Sequence, residues 1–298
     1  MSITLKRSHF IFQKTERDLL KLASSQQPDR VHRFRTAARR LQTLLEEIVP
    51  ERTRNQKKLL KLLGQLRKRA GKVRDLDVQL AALRSLKIPQ EPRRKTRFMH
   101  QLVDLRAKHE HKLRKTLDKE VLREVKKRLK RASAEVKLED CREPLQVARQ
   151  ILGQVDRPAG PLSAEVLHHY RVAVKSARYA AEFEAKSGVK SDEATEFIAQ
   201  VKTLQDAVGD WHDWLTLTHT ASARLGHVHH SPLLAALNNI TGGKFRRAAT
   251  ALSTSRVVPP SRQPSVVPPS GHFQRNHSER DHSQRALTTL AARAGSAA

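Results

Sequence analysis

Apolar residues recur along this chain with the period of an α-helix, and many of the polar positions between them are cationic. Residues 3–25 predict a first helix, with Phe10, Ile11, Leu19, Leu20 and Leu22 among its apolar positions. Pro28 and Asp29 open a second, with Asp29 as its N-cap, and Pro50 stops it. A third is predicted over 52–69, with Leu59, Leu63, Leu66 and Ala70 on one side and Lys57, Lys61 and Lys68 on the other. Gly71 is expected to interrupt or bend it before VRDLDVQLAALRSL, a segment that Pro89 and Pro92 end. The stretch 93–131 keeps a core-facing side through Phe98, Leu102, Leu105, Leu113, Leu117, Val121, Val125 and Leu129. Further helices are predicted at 140–153, 163–187, 192–222 and 231–250, with loops around Pro158, Gly188 and His227–Pro232. Beyond Ser253 the period is lost in VVPPSRQPSVVPPSGHFQRNHSER, and 254–298 reads as a disordered tail. The fold class is all-α.

Two of these helices share an unusual pattern. In VHRFRTAARRLQTLLEE (31–47), taken at about 100° per residue, Phe34, Ala37, Ala38, Leu41, Leu44, Leu45 and Ile48 gather on one face. His32, Arg35, Arg39 and Arg40 form a ladder on the other, its rungs about one turn apart. LHHYRVAVKSARYAAEFE (167–184) repeats the arrangement. His168, Arg171, Lys175 and Arg178 stand opposite Tyr170, Ala173, Val174, Ala177, Ala180 and Ala181. The repeat extends further: LRKRAGKVRDLDV (66–78) aligns with LQDAVGDWHDWLT (204–216), so that Gly71 matches Gly209, Arg74 matches His212 and Asp75 matches Asp213. Each half reads as a ladder helix followed by a helix with a Gly and a basic–Asp pair, which argues for a duplicated helical unit. The domain is expected over 1–253, with a first bundle at about 1–133 and a second at about 134–253.

Charge narrows the partner. Lys+Arg 58 against Asp+Glu 30 gives a net +28, which attracts polyanions of any kind. The segment 93–131 alone holds 16 Lys/Arg against 5 Asp/Glu. Two ladders of one sign suggest a single anion held between them. A histidine within such a ladder sits in a positive field that favours its neutral form, so anion binding is expected to tighten on acidification. The single cysteine, Cys141, excludes internal disulfides and cysteine-rich zinc sites and points to a reducing compartment. No apolar run reaches the length of a membrane span, and MSITLKRSHFIFQKTERDLL has no signal-peptide core, so the expected location is cytoplasmic.

The order His-x-x-Arg-x-x-x-(Arg/Lys)-(Arg/Lys), then Arg-Asp-Leu-Asp-Val, then His-x-x-Arg-x-x-x-Lys-x-x-Arg-Tyr, then Leu-Gln-Asp-x-x-Gly-x-x-His-Asp resembles the CHAD family of histidine-containing α-helical domains. The resemblance covers roughly residues 5–250. It implies two four-helix bundles related by a pseudo-twofold around a basic groove, inorganic polyphosphate as ligand, and association with intracellular polyphosphate granules. Carried over by motif, the ligand-facing residues are His32, Arg35, Arg39 and Arg40, and His168, Arg171, Lys175 and Arg178. Ser176 and Gln42 stand where the family often has a further cation. His169 lies beside His168, and the i+3 spacing to Arg171 favours His168 as the inward one. Lys57, Lys61, Arg74 and Lys202 are candidate extensions of the groove, while Arg74–Asp75 and His212–Asp213 also suit structural ion pairs.

Rival readings are weaker. EFEAK (182–186) spells the Glu-x-Glu-x-Lys signature of the CYTH triphosphatases often joined to CHAD domains. On a helix, however, Glu182 and Glu184 diverge by about 200° and cannot share a metal. His109-Glu110-His111 lacks an i+4 ligand, and His227, His229 and His230 have no acidic neighbour in sequence. Without a Walker loop, nucleophile elbow or kinase motif, the chain is expected to be no enzyme and to need no metal or cofactor. Nucleic acid is the alternative partner, and weak non-specific binding at low salt is expected from charge alone. With 2 Trp, 2 Tyr and 8 Phe, stacking platforms for single strands are scarce. The apolar faces of the ladder helices belong to a core, which argues against a membrane surface. Oligomeric state is not legible.

Overall fold

The computed structural model describes residues 5–137, 139–155, 162–185, 192–225, 231–255 and 257, the side chains of 5–8 and 185 aside. Among these residues the chain is all-helical. In order run α1 (Leu5–Ser24), α2 (Pro28–Thr43) with a π-helical turn (Leu44–Ile48), α3 (Arg54–Ser85) and α4 (Pro92–Thr116). Then follow α5 (Lys119–Ala134), α6 (Pro144–Gly153), α7 (Ala164–Ala185), α8 (Asp192–Leu225) and α9 (Pro232–Ser253). The loops expected around Pro158, Gly188 and His227, and almost all of the tail, lie outside the described residues.

Local chemistry accounts for most helix starts. Proline is the first residue of α2, α4, α6 and α9, where its missing N–H is no loss. α3 opens on a capping box in which Thr53 Oγ1 accepts from the Gln56 N–H and Gln56 Oε1 accepts from the Thr53 N–H, both at 3.1 Å. Asp118 accepts the Val121 N–H at 2.7 Å, which splits the basic run 93–131 into α4 and α5. Asp29 is not the N-cap of α2. Gln27 occupies that position without a side-chain bond, and Asp29 lies in the first turn, where its charge still complements the helix dipole. At the other end the Val49 N–H donates to the Leu44 carbonyl at 2.9 Å. The widened turn lets Leu44, Leu45 and Ile48 all bury.

Gly71 does not break α3, which runs through it without interruption. Its lack of a side chain serves packing instead: a Cβ there would overlap Nη1 of Arg35, whose guanidinium crosses from α2 and donates to the Arg67 carbonyl at 3.3 Å. A helix interior tolerates one glycine at about 1 kcal/mol when packing fixes the axis.

In the first half, α1, α2, α3 and α5 close a ring of neighbours, while α4 folds back along α3 and also touches α8. In the second half, α7 packs on α6 and α8, and α8 on α9. The halves meet through α2 on α7 and α3 on α8. The core divides into two apolar clusters, and their boundary runs across the halves rather than between them. The larger takes residues from both, Phe34, Leu63, Tyr170 and Trp211 among them. The smaller joins Leu76, Leu80 and Leu83 of α3, Phe98 and Leu102 of α4, Leu217 of α8 and Leu233 and Leu237 of α9. Phe10 and Leu20, among the apolar positions of the first helix, are exposed (50% and 46%), because α1 packs mainly on α2 and α5 and needs only a narrow apolar face.

A polar tie also joins the halves. Glu182 of α7 accepts from Nε of Arg40 on α2 at 2.8 Å and from Nε of Arg178 at 2.9 Å. Both guanidiniums lie beside the Tyr179 ring, 5.7 and 5.9 Å from its centroid. Replacing Glu182 by Gln leaves two half-buried cations without their counter-charge. The Glu182→Gln variant is expected to lose about 2 kcal/mol of unfolding free energy, seen as a lower urea midpoint with an unchanged slope. A midpoint equal to wild type would remove Glu182 as a tie between the halves.

Candidate functional site

Four helices surround the site: α2 and α7 pack together, α3 lies against α2, α8 against α7, and α3 against α8. Apolar burial sets their rotation. Val31, Phe34, Ala37, Ala38 and Leu41 of α2, and Leu167, Tyr170, Val174, Ala177 and Ala180 of α7, are buried almost completely. The opposite faces carry the ladders, whose cations come close enough to act on one another, and the space they border is the candidate groove. Arg35, Arg39, Arg171 and Lys175 are half-buried there.

The charges in the groove act on one another from both halves. Burial pushes the Lys175 ammonium down to about 7, with Arg171, Arg39 and Arg35 adding to the effect and Asp213 opposing it. Burial likewise lowers Arg171, with Arg39 and Arg35 pushing the same way against Asp213 and Asp75; as a guanidinium it stays protonated. His32 is lowered by burial and by Arg74, Arg35 and Lys175. His212 is lowered to about 4 by burial, with Arg171 and His168 assisting and Asp213 opposing. Asp75 of α3 is raised by burial, with Asp213 adding to the rise and Arg35, Arg171 and Lys175 opposing. Asp75 acts on cations of both α2 and α7, and its side chain is exposed to solvent.

Two buried polar atoms point to unmet hydrogen-bonding capacity. Nε of Arg171 and Nδ1 of His212 have no hydrogen-bond partner among the described residues. The His212 Nδ1 lies 3.7 Å from the Asp213 carboxylate, too long for a hydrogen bond. Arg39 and Lys175 form no ion pair among the described residues.

The expected site residues separate into groups. Arg35, Arg39, Arg171 and Lys175 are brought together, with His32 and Arg74 at their edge. His168 packs against His212 with ring centroids 5.7 Å apart, while His169 is exposed, so His168 is the imidazole turned toward α8. Arg40 and Arg178 also meet a carboxylate of the fold. Both donate to Glu182, and Arg178 also donates to Gln205 at 3.3 Å. Arg74 makes no ion pair with Asp75, which faces the cations of α2 and α7 instead. Lys57 and Lys61 are exposed on α3 well before its contact with Arg35, and Lys202 is exposed on α8 before Gln205.

Sequence reasoning passed over the groove's carboxylates. Asp75 and Asp213 were legible as an equivalent pair in the repeat, but not as the counter-charges between two ladders. Glu182 was read only as part of EFEAK; the fold gives it to two arginines, and Glu184 is buried separately with a raised carboxyl. The two repeat glycines are not equivalent in use either. Arg35 fills the space at Gly71, whereas nothing lies within 4 Å of a Cβ at Gly209.

The sign of the Lys175 effect can be tested on the protein alone. With a folded value of about 7 and an unfolded one near 10.4, the unfolded chain binds the extra proton between them, so stability contributed by this group rises with pH from about 7 to 10. The thermal midpoint of wild type minus that of Lys175→Met is expected to increase between pH values of about 7 and 9. A flat difference would place Lys175 in ordinary solvent.

The family model of the CHAD domain matches residues 11–222, a range that holds both ladders and the contact regions of α3 and α8. A comparison with curated proteins finds no match. Among solved structures, the crystal structure of the CHAD domain from the plant Ricinus communis matches with a TM-score of 0.61. That match covers 86% of this chain and 90% of that one at 15% identity, a likeness of fold. With most of its length accounted for by the family model, the chain belongs to the CHAD domain family.

Proposed function

We propose that this chain is a non-enzymatic binder of inorganic polyphosphate, held in the groove between α2, α3, α7 and α8, and that it works at cytoplasmic polyphosphate granules. One observation carries the reading: Arg35 and Arg39 of α2 and Arg171 and Lys175 of α7 are half-buried near enough to act on one another, and burial first, then these arginines, push Lys175 down to about 7. An anion in the groove relieves that crowding, and polyphosphate offers closely spaced negative oxygens without bases, sugars or apolar surface. Arg35, Arg39 and Arg171 present planar forks suited to phosphate oxygens, and Lys175 a mobile point charge. The orphaned Nε of Arg171 is one donor such a ligand would satisfy. In this reading the ladders derive from a duplicated unit, which builds two bundles around the groove. The carboxylates of EFEAK take no part in chemistry, because two arginines hold Glu182 and Glu184 is buried apart.

Two measurements bear on it. The double charge reversal Arg35→Glu/Arg171→Glu is expected to weaken long-chain polyphosphate binding by at least about a hundredfold at about 0.15 M salt, with duplex DNA as the control ligand. Binding near the wild-type level in that variant would place the site elsewhere. Binding is also linked to protons. An anion raises the Lys175 value from about 7, so proton uptake accompanies binding above that pH and fades below it. Affinity is expected to rise as pH falls from about 8.5 to 7, and Lys175→Arg, charged throughout, is expected to flatten this dependence. Equal wild-type affinity across that range would mean that Lys175 does not meet the ligand.

A further inference from the structure

A second cationic surface lies outside the groove, where α4 folds back along α3. Arg106 of α4 donates to Asp77 of α3 at 2.7 Å, and Lys95 donates to the Leu86 carbonyl nearer the turn, which fixes the two helices as an antiparallel pair. That register sets Lys108, His109 and Lys112 of α4 against Arg69 and Lys72 of α3. The cations that act on His109 are Lys72, Lys112, Lys108 and Arg69, and no carboxylate acts among its principal influences. All four cations are exposed and form no ion pair among the described residues. The adjacent acid, Glu110, is engaged by Arg106.

The surface is continuous with the groove. Asp75 beside the groove cations, then Lys72, then Arg69 stand at successive i−3 positions of α3. Each step turns about 60° around the helix and moves about 4.5 Å along it. The path therefore leaves the groove and winds around one helix onto α4. A flexible chain one charge wide can follow such a turn. A nucleic-acid duplex, stiff over about 500 Å, cannot bend around a single α-helix.

We propose that a long polyphosphate chain leaves the groove over α3 and continues on a second binding surface formed by Arg69 and Lys72 of α3 and Lys108 and Lys112 of α4. This rests on the groove being the first site. The surface makes the protein a length-sensing binder: short chains occupy the groove alone, and longer ones gain the outer contacts.

The test compares wild type with the exposed-face variant Arg69→Gln/Lys72→Gln/Lys108→Gln/Lys112→Gln, using tripolyphosphate, long-chain polyphosphate and duplex DNA. Long-chain affinity is expected to fall at least about tenfold at about 0.15 M salt, and the slope of log affinity against log salt to lessen by about 3. Tripolyphosphate affinity is expected to stay at the wild-type value. Unchanged long-chain binding, or loss of DNA binding alone, would overturn the outer surface and leave the groove intact. Loss of every ligand in the Arg35→Glu/Arg171→Glu variant, beside an unaffected outer-face variant, would do the same. A wild type that binds neither polyphosphate would instead overturn the groove reading. A chain-length series on wild type gives an answer independent of any variant: affinity is expected to keep rising once the groove is filled, and an early plateau would overturn the proposal.

Discussion

Like charges repel, and this fold holds two rows of them face to face. Two unit charges about 4 Å apart cost on the order of 4 kcal/mol in the dielectric of a protein surface. Burying one Val, Leu, Ile or Phe side chain returns about 1.5–3 kcal/mol. The π-helical turn after α2 alone adds Leu44, Leu45 and Ile48 to a face that already buries Val31, Phe34 and Leu41. α7 contributes Leu167, Tyr170 and Val174. Apolar packing on the backs of the helices therefore outweighs the repulsion on their fronts. The cations are kept together by packing on the far sides of their helices.

The carboxylates decide which cations stay available. Glu182 binds Arg40 and Arg178 in short, charge-assisted contacts and stitches α2 to α7. Asp75 and Asp213 act through the field of the groove, opposing the depression of Arg171. Their separate sequence positions conceal this division. A cation locked by Glu182 serves the architecture, while Lys175, which only shares a field with Asp213, forms no ion pair among the described residues.

The fold was legible where apolar period and side-chain burial are the same fact. Phe34, Ala38, Leu41, Tyr170, Val174 and Ala177 all face the core as their spacing requires. The ladders followed from the same arithmetic, because whatever lies opposite a packed face must point the other way. What stayed hidden depended on contacts between distant elements. No local rule connects Glu182 with Arg40, and none shows that the space a side chain at Gly71 would take is filled by Arg35 from another helix. Phe10 and Leu20 are exposed for a related reason, since the width of an apolar face depends on how many neighbours a helix acquires.

The contact at the start of α9 carries a consequence for synthesis. Glu91, in the turn between α3 and α4, accepts from the Ser231 hydroxyl at 2.7 Å and from the Leu233 N–H at 2.9 Å. It thus supplies an acceptor to a helix encoded some 140 positions later. The smaller core closes at the same place, with Leu233 and Leu237 completing a layer begun by Leu76, Leu80 and Phe98. A chain emerging from its N-terminus can bury the ring of α1, α2, α3 and α5 early. The distal half of α3 and the start of α4 must wait, their apolar sides open, until α9 has left the ribosome. The last of the described helices is the one that seals the first half.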